Sequence, residues 1–323
     1  MRVKIVANPT ANHGETAQII DKIENFLTGK IAFNLELTQK PKHAIDISKN
    51  LFDYDLVIAV GGDGTAHEIV NGLALSNNNK TALGIIPTGS GNDFARMLGI
   101  SEDPLTACQQ ILNGFEKVID LGMVNGIYYA NSLGIGFDAR VAHLANEVKE
   151  ESKKTGFSLY LSCVFSILFS DYYCFDIAFK IDNSNFENKR IVLIAVNNGK
   201  TYGRVFRITP RAVNDDGFLD VCLVDELSAF QVVPRLPFVI AGKHEWMKQV
   251  HTLRAKKVII RSEETLPAQL DGELIEDKNF LIEVVPKALK IRTTKETKGL
   301  VADSDVIGMK SLRKGVAFRT ETN

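Results

Sequence analysis

The stretch Leu56-Val-Ile-Ala-Val-Gly-Gly-Asp-Gly-Thr65 joins an unbroken apolar run to three glycines that enclose an acid. A continuous apolar run predicts a fully buried strand, and the residues that follow have the spacing of a helix. Glycines at such a turn let backbone N–H groups converge on an anion, and the helix N-terminus adds its dipole. The stretch therefore predicts a phosphate-binding turn, since a plain tight turn would need only one glycine.

The chain around this turn alternates short apolar runs with longer amphipathic ones. Strands are predicted at Val3–Ala7, Leu56–Val60 and Gly84–Pro87, with helical periodicity at Thr16–Leu27 and His67–Ala74. This alternation indicates a parallel sheet with helices on its faces, and such sheets bind ligands at the carboxyl ends of their strands. The predicted fold class is an α/β nucleotide-binding domain at the N-terminus.

From about Lys117 the pattern changes to longer strand-like runs, such as Phe175–Ile181 and Phe218–Val224, with one helical region at Phe137–Phe169. These runs predict a second, mostly antiparallel β-rich domain. Beyond Lys295 the apolar periodicity fades, which predicts a loose tail. The predicted divisions are residues 1–118, 119–293 and 294–323.

Composition narrows the compartment and the partners. The 323 residues include 38 basic and 39 acidic side chains, so the broad positive field typical of nucleic-acid binding is missing. The scattered cysteines and histidines favour neither a disulfide framework nor a zinc site. No secretion signal or span-length apolar run is apparent, so we expect a cytoplasmic protein, at most peripheral to a membrane. Exposed strand edges in the second domain would allow a homodimer.

Two further strand ends carry small residues, hydroxyls and acids. The turn after Gly84–Pro87 reads Thr88-Gly-Ser-Gly-Asn-Asp-Phe94, and the turn after the first strand reads Asn8-Pro-Thr-Ala-Asn-His-Gly14. All three turns lie at the same edge of the predicted sheet and can face one ligand. An acid among phosphates requires a divalent cation between them, which makes Asp63 a candidate for organising Mg²⁺ with a nucleotide.

These residues resemble a known family. Gly61-Gly-Asp-Gly-Thr65 and Pro87-Thr-Gly-Ser-Gly-Asn-Asp-Phe94 are similar to the catalytic domain of the diacylglycerol kinase and sphingosine kinase superfamily, in its bacterial form. The similarity continues through Asn197-Asn-Gly-Lys200 to Leu270-Asp-Gly-Glu273. It implies a first domain like those of NAD kinase and phosphofructokinase. It also implies Mg²⁺-dependent transfer of the γ-phosphoryl group of ATP to the hydroxyl of a lipid such as diacylglycerol.

The resemblance further implies which residues contact ATP, which in this family lies between the two domains. At the matching positions this chain has Asn8, Pro9, Thr10, Ala11, Asn12, Thr38, Gly62, Asp63, Gly64, Thr65, Ala66, His67, Glu68 and Ser90. The first turn departs from the family pattern, because Asn12 stands where a glycine is usual.

The resemblance also implies a catalytic turn that faces the glycine loop. In that turn Asp271 is the first candidate to accept the proton of the lipid hydroxyl, Glu273 lies beside it, and Asp63 is an alternative base. A carboxylate at a strand end can orient a hydroxyl for in-line attack. Asp-Gly is also a common hairpin turn, so the pattern alone does not distinguish the two.

A second Mg²⁺ is implied within the second domain. Its ligands would be Asp216, the backbone carbonyls of Val213 and Phe218, and, through water, Asp120. The loop Asn214-Asp-Asp-Gly217 has the oxygen-rich composition of a site for a hard cation. An acidic turn without an ion has the same composition.

Two alternative functions stay open from the sequence, namely an NAD kinase and a non-catalytic nucleotide- or lipid-binding module. The lipid itself is not identified, because apolar pockets discriminate weakly between chains. Apolar residues recur at helical spacing in Phe157–Phe169, beside Lys153 and Lys154. This pattern predicts either an ordinary core face or a wall of a lipid pocket near a membrane surface.

Overall fold

Four strands form the parallel part of the sheet. The computed structural model describes residues 1–152 and 156–294 and places these strands at Val3–Ala7 (β1), Phe33–Leu37 (β2), Leu56–Gly61 (β3) and Ala82–Pro87 (β4). Their order is β4-β3-β1-β2, and each neighbouring pair is parallel. β1, β3 and β4 are buried along their whole length, which explains why their sequences are apolar without alternation.

Helices connect these strands. Their bounds are Glu15–Leu27 (α1), His43–Ser48 (α2), Asp63–Leu75 (α3), Asp93–Met97 (α4) and Pro104–Asn113 (α5), with a 3-10 turn at Asn12–Gly14. Ile20, Ile23 and Leu27 share one face of α1. They pack against the apolar core around the parallel strands, which we call the first core. α3 begins directly after the glycine loop, so its N-terminus is directed at the edge where β3 ends.

The rest of the chain is rich in antiparallel sheet. Its strands are Phe115–Val124 (β5), Ile127–Tyr129 (β6), Ser132–Gly136 (β7), Phe175–Ile181 (β8), Glu187–Asn197 (β9), Leu219–Asp225 (β10), Val250–Ala255 (β11), Lys257–Leu270 (β12) and Glu273–Thr293 (β13). Its helices are Phe137–Ser152 (α6), Phe157–Ser170 (α7), Ala229–Val232 (α8) and Leu236–Ile240 (α9), with a 3-10 turn at Val233–Arg235 between the last two.

β13 joins the two parts of the molecule into one sheet. Its first half pairs with β12, and its last residues pair with β5 and, at Ile291, with Leu83 of β4. Leu289 and Ile291 belong to the core around the parallel strands. The end of the predicted second domain thus returns to the first core, which the sequence division at residue 118 did not anticipate.

A third apolar core lies between helices α6 to α9 and the strands β9 and β10. Its members include Phe137, Leu159, Val164, Val192 and Val232. The four cysteines are buried and free, as reduced thiols. None of the helices within residues 1–152 and 156–294 is long and apolar enough to cross a bilayer. The predicted tail beyond Thr294, and Lys153 and Lys154, lie outside the described residues.

Candidate active site

The two glycine-rich turns touch each other at the carboxyl ends of β3 and β4. A Cβ on Gly89 would lie 2.6 Å from the Cα of Gly62, and one on Gly91 would overlap the Asp63 carboxylate. A side chain at position 89 would force two backbones apart, and one at position 91 would collide with the Asp63 carboxylate. Glycine is therefore required because of these close contacts, and not because of the backbone torsion angles. The predicted meeting of these turns at one edge is therefore a backbone-to-backbone contact.

Asp63 connects the glycine loop after β3 to the turn after β4. Its Oδ2 accepts a hydrogen bond from the N–H of Asn92 at 2.6 Å, and its Oδ1 accepts one from Phe94 at 3.4 Å. Burial raises the pKa of Asp63 to about 6, those two N–H groups oppose the rise, and the charge of Asp271 adds to it. Two backbone N–H groups thus hold the carboxylate at the edge of the glycine loop.

Asp93 is a second buried acid in the same region. Its Oδ1 accepts hydrogen bonds from the Arg96 guanidinium at 2.8 Å and from the backbone N–H of Arg204 at 3.0 Å. Burial and the charge of Asp63 raise the pKa of Asp93 to about 7, and the charge of Arg96 opposes this rise. Because Arg204 also donates to the carbonyl of Ser90, the loop after β9 is latched onto the turn after β4.

The first predicted turn lies beside these loops. The side-chain oxygen of Asn8 accepts hydrogen bonds from the backbone and hydroxyl of Thr10 at 3.1 and 2.8 Å, which closes an Asx turn. The hydroxyl of Thr16 hydrogen-bonds the Ala11 carbonyl at 3.0 Å and the Thr88 hydroxyl at 2.8 Å. Thr16 therefore links the turn after β1 to the turn after β4.

A cavity of about 400 Å³ connects these turns to an apolar pocket. On one side its wall includes the predicted nucleotide residues Asn8, Ala11, Asn12, Gly62, Asp63, Gly64, Thr65 and Ser90. On the other side it includes hydrocarbon side chains of the third core, among them Leu159, Tyr160, Val164, Val232, Leu236 and Val239. The wall thus changes from peptide groups and acids to hydrocarbon within one continuous space.

The remaining predicted nucleotide residues do not line this cavity. They are Pro9, Thr10, Thr38, Ala66, His67 and Glu68. The Glu68 carboxylate accepts hydrogen bonds from the N–H groups of Lys42 at 2.8 Å and Ala44 at 3.0 Å, where α2 begins. Buried His67 lies with its Nε2 3.2 Å from the Asn71 amide nitrogen. These two side chains therefore contact protein groups on α2 and α3 and not the cavity.

Asp271 lies at the hairpin turn between β12 and β13, and its carboxylate accepts three hydrogen bonds from backbone N–H groups. Its oxygens accept hydrogen bonds from the backbone N–H groups of Ala130 at 2.7 Å, Asn131 at 2.9 Å and Ser132 at 2.8 Å. The side chain is 5% exposed. Three of the roughly four acceptor positions of a carboxylate are therefore occupied. One acceptor position is left for a further contact, so the role of Asp271 as the first candidate for the base stays a prediction.

Glu273 at the same turn has different surroundings. It is exposed, and no protein hydrogen bond or ion pair of its side chain occurs within the described residues. Its Oε1 lies next to the glycine loop, where a Cβ on Gly64 would be 2.6 Å away. Gly64 therefore leaves room for this carboxylate. Glu273 is the acid of this turn whose oxygens are free to accept a proton.

A polar cluster inside the cavity was missed from the sequence. The Tyr202 hydroxyl donates to Asp138 Oδ2 at 2.7 Å, and burial raises the pKa of Asp138 to about 6. Asp138 Oδ1 and the amide nitrogen of Gln269 are buried, and the Gln269 amide is near enough to oppose the rise in the pKa of Asp138, but neither atom has a partner of good geometry in residues 1–152 and 156–294. Both side chains line the cavity. An acid at the start of the apolar segment Phe137–Phe169 was the available signal.

The predicted loop for a second cation has protein partners for its acids. Asp216 accepts the N–H of Phe218 at 3.1 Å and pairs with Arg254. Asp120 is buried, and its two oxygens accept backbone N–H groups, each at 2.7 Å. The described part of the chain has no group of three or more His, Cys, Asp or Glu side chains that could hold a metal. Val213 is exposed beside this loop. The second Mg²⁺ stays a prediction, because its direct ligands would be one carboxylate and two backbone carbonyls.

The glycine-rich turns at the sheet edge and the acidic hairpin of the β-rich part share one cavity, and both parts of the chain match kinase family models. Residues 2–124 match the diacylglycerol kinase catalytic domain, and residues 131–293 match the YegS C-terminal NAD kinase beta sandwich-like domain. The chain belongs to this family of diacylglycerol kinase-like lipid kinases.

Individual relatives agree with this assignment. The chain is 30% identical to the diacylglycerol kinase of Bacillus subtilis over 84% of this chain and 89% of that protein. It is 31% identical to a probable YegS-like lipid kinase of Chromohalobacter salexigens over 72% and 74% of the two chains. A diacylglycerol kinase structure from Bacillus anthracis shares the fold, with a TM-score of 0.67 at 22% identity, covering 90% of this chain and 96% of that chain. An ATP-bound NAD kinase from Archaeoglobus fulgidus has a TM-score of 0.50 at 15% identity, covering 91% and 94%, so it shares the fold.

Proposed function

We propose that this protein transfers the γ-phosphoryl group of ATP to the hydroxyl of a membrane lipid such as diacylglycerol. The observation that carries the proposal is the single cavity, whose wall changes from anion-binding turns to hydrocarbon. Phosphates suit the convergent N–H groups and the N-terminus of α3, whereas a hydrocarbon chain gains free energy by filling the other part. Relatives named diacylglycerol kinase support the same acceptor.

Glu273 is the base in this proposal. The lipid oxygen forms a bond to the γ-phosphorus as the bond from that phosphorus to the bridging oxygen of ADP breaks, and the hydroxyl proton moves to Glu273. The N–H groups of the loop at Gly62 and Gly64 face the transferring charge. Mg²⁺ enters with ATP as part of the substrate, and Asp63, at the same edge, is proposed to organise it.

The polar cluster in the cavity supports an acceptor with a polar head. Asp138 Oδ1 and the Gln269 amide present one acceptor and one donor inside a largely apolar wall. Buried polar atoms without a partner cost free energy, which a ligand that pairs with them recovers. An ester carbonyl or a second hydroxyl of a glycerolipid matches these two groups.

The proposal is tested by incubating purified protein with labelled ATP, Mg²⁺ and diacylglycerol in mixed micelles. We expect labelled lipid in the organic extract, and a 10²- to 10⁴-fold lower kcat for Glu273→Gln, roughly the worth of a general base. NAD serves as a competing acceptor in a parallel reaction. Labelled NADP without labelled lipid would assign the protein to the NAD kinases, and ATP binding without either product would make it a binding module.

A further inference from the structure

Four aromatic side chains project into solvent from the elements that enclose the apolar part of the cavity. Phe230 is 81% exposed, Trp246 72%, Phe169 63% and Phe238 42%. They form two pairs, with ring centroids 6.4 Å apart for Phe169 and Phe230 and 5.9 Å apart for Phe238 and Trp246. We call these four residues the aromatic surface. Such exposure contributes little to folding, so paired exposed rings indicate a contact site.

Each element that carries the aromatic surface also contributes to the cavity wall. α7 carries exposed Phe169 and the lining residue Val164, and α9 carries Phe238 and the lining residue Val239. Trp246 precedes Met247, which also lines the cavity. The aromatic surface and the hydrocarbon pocket are therefore built from the same elements.

Basic side chains lie on the same elements as the aromatic surface. Residues 227–250 contain three Lys or Arg, namely Arg235, Lys243 and Lys248, and one acid, Glu245. That acid forms an ion pair with Arg211 at 2.8 Å, and the acids next to these elements, Asp171, Asp225 and Glu226, are ion-paired as well. Within the described residues the three basic side chains form no ion pair, so they leave an excess of positive charge here, although the whole chain has a formal net charge of −1.

We propose that the aromatic surface docks on a bilayer that contains anionic phospholipid, and that the acceptor lipid enters the cavity between α7 and the α8–α9 segment. This inference rests on the proposed function. Aromatic rings prefer the interfacial region of a bilayer, and Lys and Arg near it are attracted to anionic headgroups. A second copy of the chain would bring together two surfaces with the same excess of Lys and Arg, whereas anionic headgroups offer the opposite charge.

Trp246 reports on this docking directly, since it is the single tryptophan of the chain. Vesicles of phosphatidylcholine with about 30% phosphatidylglycerol are added without ATP. We expect a blue shift of its emission, quenching by lipids brominated on their acyl chains, and weaker binding at high salt or without phosphatidylglycerol. Unchanged emission with no co-sedimentation would overturn the proposal. So would a blue shift that follows protein concentration without vesicles and accompanies dimer formation.

Variants separate the surface from the catalytic site. Phe169→Ser with Phe230→Ser should weaken vesicle binding about tenfold or more, because two rings no longer enter the interface. The control is Phe52→Ser, whose ring is 57% exposed in the turn before β3 and should not affect binding. Lys248→Glu is a second probe that leaves the apolar packing intact, and it should reduce binding to anionic vesicles. Equal loss in the Phe52 control would overturn the assignment.

Activity measurements distinguish a failure of docking from a failure of the proposed function. The double Phe variant should keep ATP binding and should phosphorylate a short-chain diacylglycerol dissolved below its micelle concentration as wild type does. Its activity on vesicles should fall with its binding. If the wild type phosphorylates no lipid but still binds vesicles, the proposed function fails and the docking surface stands.

Discussion

The two sides of the cavity are built in different ways. The nucleotide side is made largely of backbone, with Gly62 against Gly89 and the N–H groups around Asp63 in fixed positions. The hydrocarbon side is made of side chains from distant segments, such as Leu159 and Val239. Many sets of apolar residues fill a pocket equally well, whereas a backbone contact accepts glycine alone. Substitutions should therefore cost far more on the first side and at its supports.

The largest effect on stability is expected at Asp271. Asp271→Ala leaves three backbone N–H groups, those of Ala130, Asn131 and Ser132, without their acceptor. At about 1–3 kcal/mol for each unsatisfied group, the free energy of unfolding should fall by at least about 3 kcal/mol in urea denaturation. Glu273→Ala is the matched control and should leave the unfolding midpoint unchanged. Equal, small losses in both variants would show that these three hydrogen bonds contribute little to stability.

The next effect is expected where the two turns touch. In Gly89→Ala the new Cβ meets the Cα of Gly62 at 2.6 Å, and neither backbone can move without shifting a strand end. Overpacking of this kind costs about 1–3 kcal/mol, and the displaced loop should bind ATP poorly in titration calorimetry. Leu75→Ala, at an exposed position of α3 that does not line the cavity, is the control and should keep wild-type ATP affinity. Wild-type ATP affinity in Gly89→Ala would show that the contact is not needed.

The buried acid Asp93 should make stability depend on pH. Its folded-state pKa of about 7 lies above the ordinary value of 3.8, so the unfolded chain ionises first as pH rises. The contribution of Asp93 to stability is therefore full below pH 3.8 and is lost as pH rises through about 7. Between these values the free energy of unfolding should fall by at most about 1.4 kcal/mol for each unit of pH, relative to Asp93→Asn, which stays neutral. Urea denaturation of both proteins at a series of pH values measures this difference, and parallel curves would contradict the burial effect.

The smallest effect is expected on the hydrocarbon side. Val239→Ala enlarges the pocket by two methyl groups, which should raise KM for a long-chain lipid by about tenfold at most and leave KM for ATP unchanged. Leu75→Ala, at a position 50% exposed on α3, is a control that should change neither constant. An effect on ATP binding as large as that of Gly89→Ala would break the contrast between the two sides.

The same contrast explains what could be predicted from sequence. The strand before Gly61 and the turns at Gly62 and Gly89 could be predicted, because an unbroken apolar run and clustered glycines each admit few structures. The hydrogen bonds that Asp271 accepts could not, since their donors lie about 140 positions away in the chain. The continuity of β13 could not be predicted either, because its register with β5 shifts between Val285 and Leu289.

The pocket was visible in part. Tyr160 and Val164 of the predicted apolar helix line the cavity, whereas Phe165 of the same helix stacks on Phe169, 6.2 Å away. Periodicity gives the faces of a helix but not the partner of each face. The short helices α8 and α9 and the cluster at Asp138 were missed, because segments of four or five residues carry no readable period.

The continuity of β13 limits how this molecule can open. A jaw-like rotation of one half against the other would have to bend this strand and break its pairing with β5 and with Leu83 of β4. Backbone ladders of this length resist such bending, and their loss would expose apolar side chains from the core around the parallel strands. Any motion that opens the cavity is therefore expected in elements outside this ladder. The short helices α8 and α9 are such elements, since they take no part in strand pairing and contribute to the cavity wall.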